Sequence, residues 1–178
     1  MSRKNLSYST VSAEIRIALT GSDKARQRTF GLDSMRILCN LPDLESAARE
    51  QFDSDAVHAI LEARDQHAEA SPDQIEEWLE RIEAGDLDPG NTGTEVFLLV
   101  MALAVWQAYL ESDDPQALRR RGHLRRLPVA GRAVAAIELL AELRLDYADW
   151  FEPDDLVSSD EEMRRREYHR VLDELHEP

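Results

Sequence analysis

Apolar and polar positions alternate along this chain mostly with the period of a helix. Ile75, Trp78, Leu79 and Ile82 fall at i, i+3, i+4 and i+7 and so share one helix face, with Glu76, Glu77, Glu80 and Glu83 on the other side. Ser71-Pro72-Asp73-Gln74 marks where that helix starts: a capping hydroxyl, a proline at the first helical position and a glutamine three residues after the cap. Gly85 ends it. The same logic predicts a short helix from Pro42 to Gln51, and another capped by Ser54 with Val57, Ile60 and Leu61 on one face. The last helix follows the capping box Ser159-Asp160-Glu161-Glu162, with Tyr168, Val171, Leu172 and Leu175 inward.

Two longer segments organise the second half. Val96 to Leu110 carries no charged side chain, and Thr94 can cap it. Because a membrane-spanning helix needs about 20 apolar residues, this run is expected to be the buried central helix of a soluble protein. From Val129 to Trp150 the series Ala133, Ala136, Leu140, Leu143, Tyr147 and Trp150 alternates steps of three and four, giving a seam to pack on the central helix before Glu152-Pro153 stops it. Between them Asp114-Pro115 starts a shorter Arg-rich helix, broken near Gly122 and again before Pro128.

The N-terminal region is less decided. In segment 10–19, Val11, Ala13, Ile15, Ile17 and Leu19 alternate as in a strand, while Val11, Ile15 and Leu19 also suit a helix. Ser22-Asp23 can cap a short helix to about Arg28; Gly31 is expected to break it, and Asp33 to cap another through Met35, Ile37 and Leu38.

Together these elements predict an all-α, compact multi-helix bundle around a central apolar helix, with segment 10–19 as the one candidate strand. Turn formers cluster from Gly85 to Gly93, around Asp88-Pro89-Gly90-Asn91. They separate an N-terminal lobe, 1–89, from a C-terminal lobe, 90–178, that share one core. A chain of 178 residues, 43% of them hydrophobic, can bury roughly two-thirds of its unfolded surface without a cofactor or disulfide. Cys39 is the single cysteine, which fits a reducing compartment. The basic start, Met1-Ser2-Arg3-Lys4-Asn5, is not followed by the apolar core of a secretory signal, so the expectation is a cytoplasmic protein without a membrane span.

Charge changes this picture from fold to partner. The net charge is −15 and unevenly spread. Residues 1–40 carry seven Lys/Arg against three Asp/Glu, and residues 41–89 three against fifteen. Residues 119–132 carry six Arg and no acid, and residues 133–163 one Arg against ten acids. Such a mean field repels phosphate and leaves direct nucleic-acid binding uncertain. Two surfaces stand out as partner-binding candidates. Arg119, Arg120, Arg121, Arg125 and Arg126 could grip phosphate, or neutralise the protein's own acidic helices or those of a second copy in a homodimer. Glu76, Glu77, Glu80 and Glu83, within the acidic stretch from Asp43 to Asp88, could meet a basic protein surface, imitate DNA phosphates, or simply keep the surface soluble.

Residues with chemical potential are sparse. Asp55 with His58, and Asp173 with His176, have the i, i+3 spacing that shares a helix face, and His58, Glu62 and Asp65 together could offer metal ligands. The Glu-x-x-His motif of di-iron bundles does not occur. Cys39 has no base near it in sequence, and no Gly-rich phosphate loop, zinc-spaced Cys/His set or nucleophile elbow occurs. The expectation is a protein that is not an enzyme and needs no cofactor or metal.

Read in order, Asn5-Leu6-Ser7-Tyr8, Asp23-Lys24-Ala25, Phe30-Gly31-Leu32, Leu41-Pro42 and Phe52-Asp53-Ser54 resemble landmarks of the FlhD family of flagellar master-regulator subunits, over about residues 5–60. The resemblance implies a helical regulator that dimerises, pairs with a partner subunit and acts at promoters. The expected function is therefore a non-enzymatic regulator or adaptor working through protein contacts, including a transcription-regulator subunit. Its rivals are an acidic inhibitor, a DNA mimic or immunity-type protein occupying a basic site, and a small helical enzyme using carboxylates and His.

Overall fold

In the computed structural model the backbone is described for residues 8–85, 92–112, 129–151 and 160–176, and the side chains for 12–85, 92–112, 132–145 and 166–175. The described residues form eight helices and no strand: α1 (Tyr8–Gly21), α2 (Lys24–Cys39), α3 (Leu44–Gln51), α4 (Ser54–Gln66), α5 (Pro72–Ala84), α6 (Thr94–Ser112), α7 (Val129–Phe151) and α8 (Asp160–His176). The all-α expectation holds, and the candidate strand at 10–19 does not. Within α1, Ile15 and Leu19 are fully buried while Ile17 is 72% exposed. Only the i, i+4 pair of the two competing patterns therefore meets the core, and a strand would have had to bury all three.

Most helix starts follow their local chemistry. Ser71 Oγ accepts the Gln74 N–H at 3.2 Å, with Pro72 as the first helical residue, as the sequence predicts. Two caps differ. Asp53, not Ser54, starts α4, its carboxylate accepting the N–H groups of Asp55 and Ala56 at 3.0 and 2.9 Å. A carboxylate accepts both bonds and also favours the helix dipole, so it takes the place of the neighbouring hydroxyl. Thr94 lies inside the first turn of α6, where the Phe97 N–H already reaches the Gly93 carbonyl at 3.1 Å. The α6 start is tied instead to the end of α3, because Gln51 Oε1 accepts the Gly93 N–H at 2.6 Å. Pro42 likewise precedes α3 without joining it, and Asp43 makes the turn with a left-handed φ of 62°.

The largest departure is α2, which runs through Gly31 without a break. Asp23 caps it by accepting the Arg26 N–H at 2.8 Å, whereas Asp33 caps nothing and pairs with Arg36 at 3.2 Å. A mid-helix glycine costs about 1 kcal/mol relative to alanine. Here that cost is offset by proximity: a Cβ on Gly31 would lie 2.6 Å from Trp106 Cζ3 and 2.7 Å from Ile137 Cδ1. Gly31 is thus the notch at which α2 meets α6 and α7.

A single hydrophobic cluster draws on all eight helices and joins both sides of the 85–93 connection. Helix α6 packs against α7, α5, α2 and α3, while α1, α2 and α8 pack around α7 and α3 and α5 flank α4. Trp106 and Tyr109 stack at 4.9 Å, and Gln107 ties α6 to the start of α5 through the Pro72 carbonyl at 3.1 Å. On α7 the buried seam is Ala136, Ile137, Leu140, Ala141, Arg144 and Leu145, with Ala133 and Leu143 at its edges. Tyr147, Trp150, the turn Asp88–Asn91, the Asp114 helix and the Ser159 cap lie outside the described side chains or residues. By length and composition α6 also meets the test for a helix that could cross a membrane, as soluble core helices do, and 56% of its most apolar window is buried in this fold. It is not covered on every side, because Phe97 and Met101 remain 38% and 39% exposed.

Filling the Gly31 notch should be costly even though alanine is the better helix former. We expect Gly31→Val to lose about 1–3 kcal/mol in urea unfolding, the usual cost of overpacking. An unchanged midpoint would mean that Trp106 and Ile137 move aside freely.

Candidate protein-binding faces

Across the acidic surface of the N-terminal half runs a set of arginine bridges. From α5, Arg81 reaches back to α4, with Nη2 2.8 Å from Asp55 Oδ1 and Nη1 2.9 Å from Glu62 Oε2. Arg64 holds Asp65 at 2.8 Å and Glu45 of α3 at 3.4 Å, and Arg49 holds Glu45 at 2.7 Å. The hydrogen bond from Arg81 holds the Asp55 carboxyl below its usual range, and that from Arg49 does the same for Glu45. These bridges also take apart the set His58, Glu62 and Asp65 that the sequence offered to a metal. His58 lies 3.2 Å from Glu62, but Glu62 is committed to Arg81 and Asp65 to Arg64. Among the described residues no three His, Cys, Asp or Glu side chains gather as a metal would need, and the side chain of His176 lies outside them.

What the arginines leave over is the outer face of α5. Ile75, Trp78 and Ile82 are buried and Leu79 is half-buried. Asp73, Glu77, Glu80 and Glu83 are exposed and Glu76 is half-buried. At 100° and 1.5 Å per residue, these five acids occupy an arc of about 120° along about 15 Å of helix. Glu77, Glu80 and Glu83 form no ion pair among the described residues. The structure therefore brings together the four glutamates singled out in the sequence on one rigid face, backed by core residues. Arg119, Arg120, Arg121, Arg125 and Arg126 lie outside the described residues.

The most buried charge in the described structure escaped the periodicity. Arg144 is 0% exposed, one residue past the Leu143 that the seam was expected to contain. Its Nη1 lies 2.7 Å from Glu174 Oε2 and its Nη2 2.7 Å from Glu167 Oε1, both on α8. Nη1 also donates to Ser34 Oγ of α2 at 3.3 Å, and the guanidinium carbon sits 5.3 Å from the centre of the Phe30 ring. Burial works against the Arg144 charge, but the hydrogen bond it donates to Glu174 and the charges of Glu167 and Glu174 outweigh it. The one signal in the sequence was its isolation, since Arg144 is the single basic residue among the ten acids of 133–163. With its donors engaged by the protein's own carboxylates, Arg144 fastens α8 to α2 and α7 and does not grip a ligand. Around it Ser12 donates to Glu142 at 2.6 Å, Arg16 pairs with Glu138 at 2.9 Å, and the Tyr168 hydroxyl donates to Glu14. Cys39 is buried without charge beside it, and burial pushes its thiol well above the usual range, so it is no ready nucleophile.

No family model, curated protein or solved structure matches this chain. Several of the residues that resemble the FlhD family have a local structural duty here, while Asn5, Leu6 and Ser7 lie outside the described residues. Asp23 caps α2, Gly31 is the notch at its centre, Leu41-Pro42 lies in the turn before α3, and Phe52-Asp53-Ser54 forms the α3–α4 junction.

The Arg144 cluster should make stability acid-sensitive. Burial tends to raise the Glu174 carboxyl, but its bonds to Arg144 and Arg170 lower it below the ordinary value. Its contribution is therefore complete above the unfolded carboxylate value of about 4.3 and disappears as pH falls through the lower folded one. Thermal melts should decline below about pH 4.5, and less steeply in Glu174→Gln. Arg144→Ala, which strands Glu167 and Glu174, should cost about 3–5 kcal/mol at neutral pH. A loss under about 1 kcal/mol would show that the cluster holds little of the fold together.

Proposed function

We propose that this protein is a non-enzymatic regulator or adaptor that works through protein–protein contacts, presenting the outer face of α5 to a basic surface on its partner. One observation carries the reading: three glutamates, Glu77, Glu80 and Glu83, stand exposed and without an ion pair among the described residues, while nearby acids on α3 and α4 are consumed by Arg49, Arg64 and Arg81. A preformed acidic face costs little ordering entropy on binding and steers a basic partner to it. The resemblance of residues 5–60 to FlhD-type subunits adds a more specific form, a subunit of a transcription regulator whose role is to hold another protein.

The regular placing of the carboxylates favours a second reading, an acidic inhibitor. Along α5 they recur every three or four residues, about 4.5–6 Å apart along the axis. A row of that kind can occupy a channel built for nucleic-acid phosphates. The two readings share a surface and differ in what competes for it.

Affinity capture from cells of the source organism, repeated over a salt series, tests both. Capture should weaken steeply between 0.1 M and 1 M salt, where the screening length shrinks from about 10 to about 3 Å. The triple variant Glu77→Lys, Glu80→Lys, Glu83→Lys should lose on the order of tenfold in affinity while keeping its helical circular dichroism. Competition by added double-stranded DNA would select the inhibitor; no competition would select the adaptor. Capture indifferent to both salt and charge reversal would remove the α5 face from the argument.

A further inference from the structure

Helix α8 is held differently from the helices around α6. Of its ten described side chains, 166–175, three are buried apolar ones, Tyr168, Val171 and Leu175, against eight on α6. It packs chiefly against α7, α1 and α2, whereas the neighbours that cover α6 are α7, α5, α2 and α3. The seat of α8 is polar. Glu167 and Glu174 meet Arg144 of α7, the same guanidinium donates to Ser34 of α2, and the Tyr168 hydroxyl donates to Glu14 of α1. Arg170 of α8 itself pairs with both glutamates, and Asp23, Arg26 and Asp33 of α2 line a cleft of about 440 Å³ with Glu174.

Such a seat selects more than it holds. The attraction within a buried ion pair is largely offset by the hydration that its charges give up. When α8 lifts away, Arg144, Glu167 and Glu174 return to water together, so opening leaves no charge stranded in the core. The seat nevertheless rejects a shifted helix. Sliding α8 by three residues either way would bring Arg164 or Arg170 to the place of Glu167, cation against cation. The apolar contacts of α6 have no such compensation, because exposing them to water is unfavourable outright.

We propose that α8 is a latch, which opens as a unit while α1–α7 stay folded and so exposes Arg144, a cation hidden in the closed form. The opening is a conformational switch that the carboxylates of α8 control. Acid favours it: the seated Glu174 carboxyl lies below its ordinary value, so the closed form is favoured most above that ordinary value and loses the advantage as pH falls through the seated one. Arg144, Arg170 and Arg26 support the Glu174 charge, and Asp23 and Asp33 oppose it. No residue of α5 takes part in this seat, so the latch and the α5 face stand or fall separately.

Hydrogen exchange of backbone amides in the full chain at neutral pH tests the latch. Amides of 166–175 should be protected, yet on the order of tenfold or more less than those of 96–110, since a local opening costs less than global unfolding. Ile60→Val trims a buried side chain on α4, which packs on α5, α3 and α2. It should lower protection in α6 by about fivefold, the usual effect of a lost methylene, and leave α8 where it was, because the open form carries the same defect. Glu174→Gln should lower α8 protection on the order of tenfold, the usual worth of a charged hydrogen bond, with helical circular dichroism intact. Any of four results would overturn the proposal: α8 amides as protected as those of α6, α8 protection that falls along with α6 in Ile60→Val, α8 protection indifferent to Glu174→Gln, or α8 amides that exchange as in an unfolded chain. The last would mean that there is no closed form to open.

Discussion

Helix α6 has no polar side to turn to water between Val96 and Leu110, and most of the architecture is a response to that. An amphipathic helix can be satisfied by one neighbour, but α6 needs neighbours on several sides, and α7, α5, α2 and α3 supply them. The contact with α2 depends on a glycine. Trp106 is the bulkiest side chain on α6, and α2 can lie beside it only because position 31 has no Cβ to meet the indole. The same notch admits Ile137, so one missing methyl sets the mutual position of three helices. Helices α1 and α8 then close the far side of α7.

Electrostatics follows the frame that the core lays down. Arginines on α3, α4 and α5 each take a carboxylate from their own or a neighbouring helix, Arg64 and Arg81 partly covered and Arg49 at the surface. Arg144 goes further and enters the core, where its charge is tolerable only because Glu167, Glu174 and Ser34 surround it. The acids not drawn into these contacts remain on the outside, most regularly on α5. The acidic face is thus partly a by-product of where the arginines were spent. It is nonetheless held in a fixed arrangement, since Ile75, Trp78 and Ile82 anchor its helix in the core.

Two outer surfaces of contrasting chemistry result, one charged on α5 and one oily on α6. The charged face acts at a distance through its field, whereas the oily row acts only in direct contact.

Much of what neighbours in sequence set was legible before the fold was known, though not the starts of α4 and α6, where Asp53 caps in place of Ser54 and Thr94 already lies inside the first turn. The cap at Ser71, the stop at Gly85, the stripe on α5 and the inward residues Tyr168, Val171 and Leu175 on α8 are decided within a turn or two of helix, where hydrogen bonding and period leave little choice. The glutamate face was legible for the same reason, being the complement of that stripe. What tertiary structure decided are the positions at which a distant residue overrides a local preference. Gly31 reads locally as a break and is a contact, because Trp106 and Ile137 need the space. Segment 10–19 reads equally as strand or helix until α7 and α8 are present to cover Ile15 and Leu19 and leave Ile17 outside. Arg144 reads as surface until α8 brings two carboxylates to it, and Phe97 and Met101 read as core until the packed helices leave one side of α6 uncovered. A sequence records each residue's own preference; which preference prevails depends on what the fold places against it.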